Sequence, residues 1–233
     1  MQPEKTNQAV HGTSGTDLRG DLDGSASISA DNFRGSNLLA ILALGGSGCF
    51  VASALLLPAV SEYGIRRDFI SELAIGRYGF VQTLAFLAFG IGALALAAGL
   101  RKTTRGSWGS TVGSILVGLF GIGVLLDAVF PIDPGVQMMT VAGTVHLMAA
   151  LGAFVCMIAA MFVFSRTFTQ SARWRSLRSV SLALALAAFA ALFLPSGGEW
   201  AGLFQRMFVG VVISWMVIVA VRVRSVGSGI TAK

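Results

Sequence analysis

Six apolar stretches, each close to the length of a membrane crossing, dictate what this chain can become. They lie at 38–60, 79–100, 109–130, 141–164, 177–195 and 201–223. At 1.5 Å rise per residue, about 20 helical residues cover the ~30 Å hydrocarbon core of a bilayer. Inside that core every backbone N–H and C=O must be bonded internally, so such stretches are helices. The ~10-residue alternating segments of a membrane β-barrel do not occur. The expected fold is an all-α integral membrane protein, a six-transmembrane-helix bundle whose first partner is the lipid bilayer. Composition agrees: 12% of residues are charged and mean hydropathy is +0.76, whereas a soluble domain carries roughly 25% charged residues. A water-soluble enzyme and a nucleic-acid-binding module are excluded. The net charge of +6 is spread over the connections between spans and forms no binding stripe, so no nucleic-acid partner is expected.

Three regions follow. Residues 1–36 form a polar tail rich in Gly, Ser, Asp and Asn. It has too little apolar surface to offset the entropy of ordering, so it reads as disordered. It also lacks the apolar core and cleavage site of a signal peptide. Residues 37–224 form the membrane domain, and 225–233 a short C-terminal tail. Between spans one and two, residues 61–78 place Ile65, Phe69, Leu73 and Ala74 on one helical face, with Arg66, Arg67 and Asp68 off it. That pattern predicts a short amphipathic helix at the membrane interface. The two cysteines, Cys49 and Cys156, each lie inside an apolar run and read as packing residues.

Orientation follows from Lys and Arg. Thirteen lie in the two termini and in the connections after spans two and four, whereas the opposite side has only Arg66, Arg67 and Arg77. The positive-inside rule then places both termini in the cytoplasm, and the expected location is the cytoplasmic (inner) membrane. Gly109 and Gly113, and likewise Gly48 and Ala52, have the four-residue spacing that lets helices approach closely.

Polar residues are distributed asymmetrically. Outside the tail, the acidic residues are Glu62, Asp68, Glu72, Asp127, Asp133 and Glu199, and all six fall on the outer side of this topology. Asp127, His146 and Arg206 reach a depth of roughly 5–8 Å from that side. Ionisable groups at such positions face the bundle interior and pair. Arg206 is therefore expected to pair with Glu72, Asp127 or Asp133. The layer is either a structural pin between helices or a functional pocket. Several chemistries are absent: there is no HExxH, and one intramembrane His cannot build a three-His zinc or bis-His haem site. Gly45-Gly46-Ser47-Gly48-Cys49 misses GxSxG at its last position. Walker and GxGxxG loops are also missing, so neither metal nor cofactor is expected. A Ser71–His146 pair is allowed by the residues, though nothing in the spacing demands it.

The stretch Ile70-Ser71-Glu72-Leu73-Ala74, with Gly76, Gly79, Gln82, Phe86 and Gly90, resembles the ISELG…G…Q…F…G signature of the membrane family called domain of unknown function 998. Phe130-Pro131-Ile132-Asp133-Pro134 is similar to that family's FPxD turn, and His146 follows in the next span. Gly202, Gln205 and Arg206 match its G..QR motif. The likeness covers about residues 38–224, with ELA in place of ELG. It implies a six-span prokaryotic membrane protein and supplies no reaction. With this family, the ligand-binding set becomes Ser71, Glu72, Gln82, Asp127, Asp133, His146, Gln205 and Arg206, with Glu72, Asp133 and His146 as the candidates for proton transfer. The favoured reading is binding or processing of an amphipathic or lipid-derived ligand in an outward-facing pocket, with Arg206 and Gln205 holding an anionic or carbonyl group. The alternatives are a small proton-coupled transporter and a non-catalytic scaffold or sensor. Whether the chain is an enzyme stays open.

Overall fold

The computed structural model describes residues 15–134, 139–195 and 197–227, with side chains from Gly35 onward. The described structure is all-helical. Its six helices are α1 (Gly15–Leu56), α2 (Gly79–Thr103), α3 (Trp108–Val129), α4 (Val141–Thr167), α5 (Arg178–Ala191) and α6 (Ala201–Gly227). Chain neighbours pack side by side, α6 returns to α1, and α2 also touches α6. One end of the bundle carries the 61–78, 130–140 and 195–200 connections and is called here the loop end. The other is the terminal end.

Five helical segments are long and apolar enough to cross a bilayer: residues 35–59, 79–103, 108–129, 141–170 and 201–227. The fifth expected span, 177–195, is shorter than its hydropathy suggests. Its helix has 14 residues, about 21 Å at 1.5 Å each, against a ~30 Å hydrocarbon core. The chain leaves the helix after Ala191 and turns through Leu192–Leu194. Pro195 disfavours helical backbone at the residue before it. The apolar run continues past the helix end, so hydropathy alone could not mark the stop.

The backbone of α1 is already helical from Gly15, inside the tail read as disordered. Residues 1–14, and the side chains of 15–34, lie outside the described residues. The last tail residue belongs to the bundle: Ser36 is buried, and its Cβ would sit 2.7 Å from a Cβ placed on Gly227.

Glycines set the tightest helix contacts. A Cβ on Gly113 would fall 2.7 Å from the Phe164 ring, and one on Gly109 would fall 2.3 Å from the Thr167 hydroxyl, so this pair brings α3 onto α4. The Gly48–Ala52 pair behaves differently. Both residues are exposed, and nothing lies within 4 Å of a Cβ on Gly48.

The terminal end is filled with large side chains. Phe168 stacks on Trp174 at 4.7 Å and on Phe164 at 5.3 Å. Trp174 donates its indole N–H to Thr103 O, and Trp215 donates to Ser181 Oγ. Met157, Met161 and Met216 complete a fully buried plug.

The 61–78 connection differs from the expected amphipathic helix. Only Ile70–Ala74 is helical, as a 3₁₀ turn, with Ile70 and Leu73 buried beneath it. Ile65, expected on the apolar face, is exposed. The carbonyls of residues 65–68 are engaged by α6, as described below, which holds this stretch in a non-helical path.

Candidate functional site

A cavity of about 340 Å³ opens at the loop end. Its wall is aromatic: Phe50, Phe86, Phe89, Phe120, Phe154 and Phe208 contribute from α1, α2, α3, α4 and α6. Rings touch around it, with Phe50 on Phe89 at 4.7 Å and Phe154 on Phe208 at 4.5 Å. Ala191, Leu192, Leu194 and Pro195 line one side. The early stop of α5 is therefore what leaves room between α4 and α6.

Four polar side chains interrupt this apolar surface: Ser71, Asp127, His146 and Gln205. The ring nitrogen Nδ1 of His146 lies 2.8 Å from the Phe130 carbonyl. A carbonyl only accepts, so Nδ1 carries the proton and Nε2 presents a lone pair in the neutral ring. The Asp127 carboxyl group sits on the same side, with Oδ1 3.7 Å from Nδ1 and without a hydrogen-bond partner among the described residues. Both residues are more than nine-tenths buried. α3 delivers Asp127 just before its end, and the 130–140 connection brings α4 back so that His146 faces it.

Gln205 and Ser71 come from the other side. Gln205 Oε1 accepts the Ile70 N–H at 2.7 Å. This orients the amide and leaves its NH₂ without a protein partner among the described residues. Ser71, next along the chain, is 4% exposed, and its hydroxyl makes no hydrogen bond among the described residues. Serines in this bundle commonly bond back to their own helix, as Ser47, Ser53 and Ser165 do. Ser71 does not.

Arg206 is held differently from expectation. Its Nη1 donates to the main-chain oxygens of Ile65 (2.8 Å), Asp68 (2.6 Å) and Gly202 (3.1 Å). No carboxylate lies within salt-bridge distance of it among the described residues; the pairs there are Arg66–Glu199 and His146–Asp127. The backbone N–H groups of Gly202 and Leu203 donate to the carbonyls of Arg67 and Arg66. The loop thus caps the first turn of α6, whose N–H groups have no partners within the helix. A Cβ on Gly202 would fall 2.3 Å from Asp68 O, so the close approach requires glycine. Arg66 adds a 3.0 Å bond to Glu199 and stacks over Trp200. The Gly202, Gln205 and Arg206 motif is accordingly a latch that binds the 65–70 segment. Beside it, burial and the Glu72, Asp68 and Glu62 carboxylates raise the pKa of Tyr63 above its ordinary value.

Glu72 and Asp133 act as local caps. Glu72 Oε2 accepts the Phe69 N–H at 2.6 Å, closing the 3₁₀ turn. Asp133 takes the Thr140 N–H and hydroxyl, at 2.7 and 2.9 Å, at the start of α4, where negative charge opposes the helix dipole favourably. Gln82 is fully buried, and neither amide atom has a partner among the described residues. None of Glu72, Gln82, Asp133 or Arg206 lines the cavity. Sequence reasoning missed the phenylalanine wall and the short α5. An aromatic in an apolar span carries no sign of whether it faces a neighbour, lipid or a void.

A family profile described as "Protein of unknown function (DUF998)" matches residues 43–222. The chain belongs to this family. The match spans α2 to α5 complete, the last third of α1 and most of α6, with both sides of the cavity. No curated protein and no solved structure matches the chain.

Proposed function

We propose that this DUF998 protein binds a single amphipathic, lipid-derived molecule, its chain against the phenylalanines and its head at Ser71, Asp127, His146 and Gln205. The observation that carries this reading is the cavity itself. Its size falls within the ~300–1,000 Å³ of small-molecule sites, and it has their character of an apolar wall with a few convergent polar groups. Among the described residues the cavity is lined by no Lys or Arg; Arg206 lies outside its lining, with Nη1 on loop carbonyls. A carboxylate is present instead. The head group that fits is therefore uncharged or amine-bearing, and a phosphate or carboxylate head is disfavoured by the lack of a cation to offset its desolvation.

The sidedness of Lys and Arg supports cytoplasmic termini. The cavity then faces the outer leaflet of the cytoplasmic membrane. Transport is the weaker reading, because the aromatic and methionine plug of the terminal end stands across any path through the bundle.

Photocrosslinking tests the proposal. A diazirine-bearing monoacylglycerol should label the purified protein in detergent, on peptides from α4 and α6. Ala150→Phe, which fills the lining, should remove the labelling while leaving the melting temperature near that of the parent. A photoreactive phosphatidic acid should label weakly. Labelling that ignores Ala150→Phe, or that favours the phosphatidic acid, sinks this assignment.

A further inference from the structure

We propose that the four polar groups of the cavity form an acyl-transfer site, with Ser71 as the nucleophile, that cleaves the ester bond of an uncharged single-chain amphiphile. The inference rests on the binding role just described and adds a reaction to it.

Each group already has the bonding state its role demands. A nucleophilic hydroxyl must be free of structural duty, and the buried Ser71 hydroxyl makes no hydrogen bond among the described residues. A general base must be fixed in one tautomer with a lone pair available. The Phe130 carbonyl holds the proton on Nδ1 of His146, and Nε2 makes no hydrogen bond among the described residues. An imidazolium formed during the reaction needs a nearby negative charge. Asp127 provides it on the Nδ1 side at 3.7 Å, and its Oδ1 has no hydrogen-bond partner to divert it. An oxyanion needs an oriented donor in a dry site. Gln205 has its carbonyl oxygen tied to Ile70, the residue before the nucleophile, which leaves its NH₂ without a partner among the described residues in the cavity that Ser71 also lines. The phenylalanine wall excludes bulk water and suits an acyl chain.

The Ser71 Oγ–H proton passes to His146 Nε2 while Oγ bonds to the ester carbonyl carbon, and the developing oxyanion is met by the Gln205 amide. The carbon–alkoxy bond then breaks, and the Nε2 proton goes to the departing alcohol. Water completes the turnover. His146 takes a proton from it, the water oxygen bonds to the acyl carbon, the acyl–Oγ bond breaks, and Ser71 recovers its proton. A fatty acid and an alcohol are released, with no redox change.

A long-chain alkyl fluorophosphonate incubated with the purified full chain tests this, with peptide mapping by mass spectrometry. The expected result is one phosphonylated residue, Ser71, and no adduct in Ser71→Ala. His146→Asn keeps a donor toward Phe130 and should slow labelling by about 10²-fold, the usual contribution of a general base. It should also abolish the single-ionisation rise of the labelling rate with pH. Diazirine-monoacylglycerol crosslinking of each variant reports whether the cavity is intact. Crosslinking without Ser71 labelling overturns the acyl-transfer site and leaves the binding role standing. Loss of both in the parent protein overturns the two together. Labelling of Ser71 at an unchanged rate in a crosslinking-competent His146→Asn also overturns the proposal, since the base would play no part.

Discussion

The guanidinium of Arg206 rests on the main-chain oxygen of Asp68, 2.6 Å away, and forms no salt bridge with its carboxylate. A half-buried charge is thus met at Nη1 by backbone dipoles, and what it stabilises is the path of a loop. Arg206→Ala should lower stability in detergent by about 2 kcal/mol, in the range for hydrogen bonds to charged groups. Because no carboxylate partners it, double-mutant cycles with Asp127→Asn and Asp133→Asn should be additive within about 0.5 kcal/mol. Coupling well above that in equilibrium unfolding would restore the ion-pair picture.

Gly202→Ala places a methyl group 2.3 Å from Asp68 O. Either the loop or α6 must shift, and overpacking of this kind costs about 1–3 kcal/mol. Gly48→Ala meets no atom within 4 Å and serves as the neutral comparison. Thermal melting of the two variants should separate them clearly.

Asp133→Ala removes both acceptors for Thr140 and the charge at the start of α4. The expected loss is about 1 kcal/mol, typical of a helix cap. Monoacylglycerol crosslinking should persist, since Asp133 does not line the cavity. Loss of crosslinking at unchanged stability would move Asp133 into the site.

The proposed orientation is tested by single cysteines in a background lacking Cys49 and Cys156. Glu62→Cys in the loop-end connection should react with an impermeant thiol reagent on intact cells. Ala172→Cys, in the connection after α4, should react only after lysis. The reverse pattern would place the cavity in the cytoplasmic leaflet.

Deleting residues 2–34 should leave membrane insertion and melting temperature nearly unchanged, because the expected tail contributes little apolar surface. A drop of several degrees would show that it docks on the bundle.

The sequence by itself determined the material of this protein. Runs near 20 apolar residues require helices, because a bilayer offers no partner for open backbone. The Ile70–Ala74, Asp133–His146 and Gly202–Arg206 motifs could be read as one neighbourhood at one end of the bundle. Asp127, His146 and Arg206 were legible as one layer, since depth along a helix follows from residue count, but the sequence offered Asp127 to Arg206 and the structure sets it beside His146. Only the tertiary structure decided what each polar group does there. Arg206 looks from the sequence like a ligand clamp, yet it turns to main-chain carbonyls, which no sequence pattern records. Glu72 and Asp133 close local turns, while Ser71 and Gln205 are left facing a void. The void depends on α5 ending at Ala191 although apolar residues continue to Leu194. Hydropathy reports how much a residue favours leaving water. Whether it then meets lipid, a neighbouring helix or an empty cavity is fixed only by how the six helices pack.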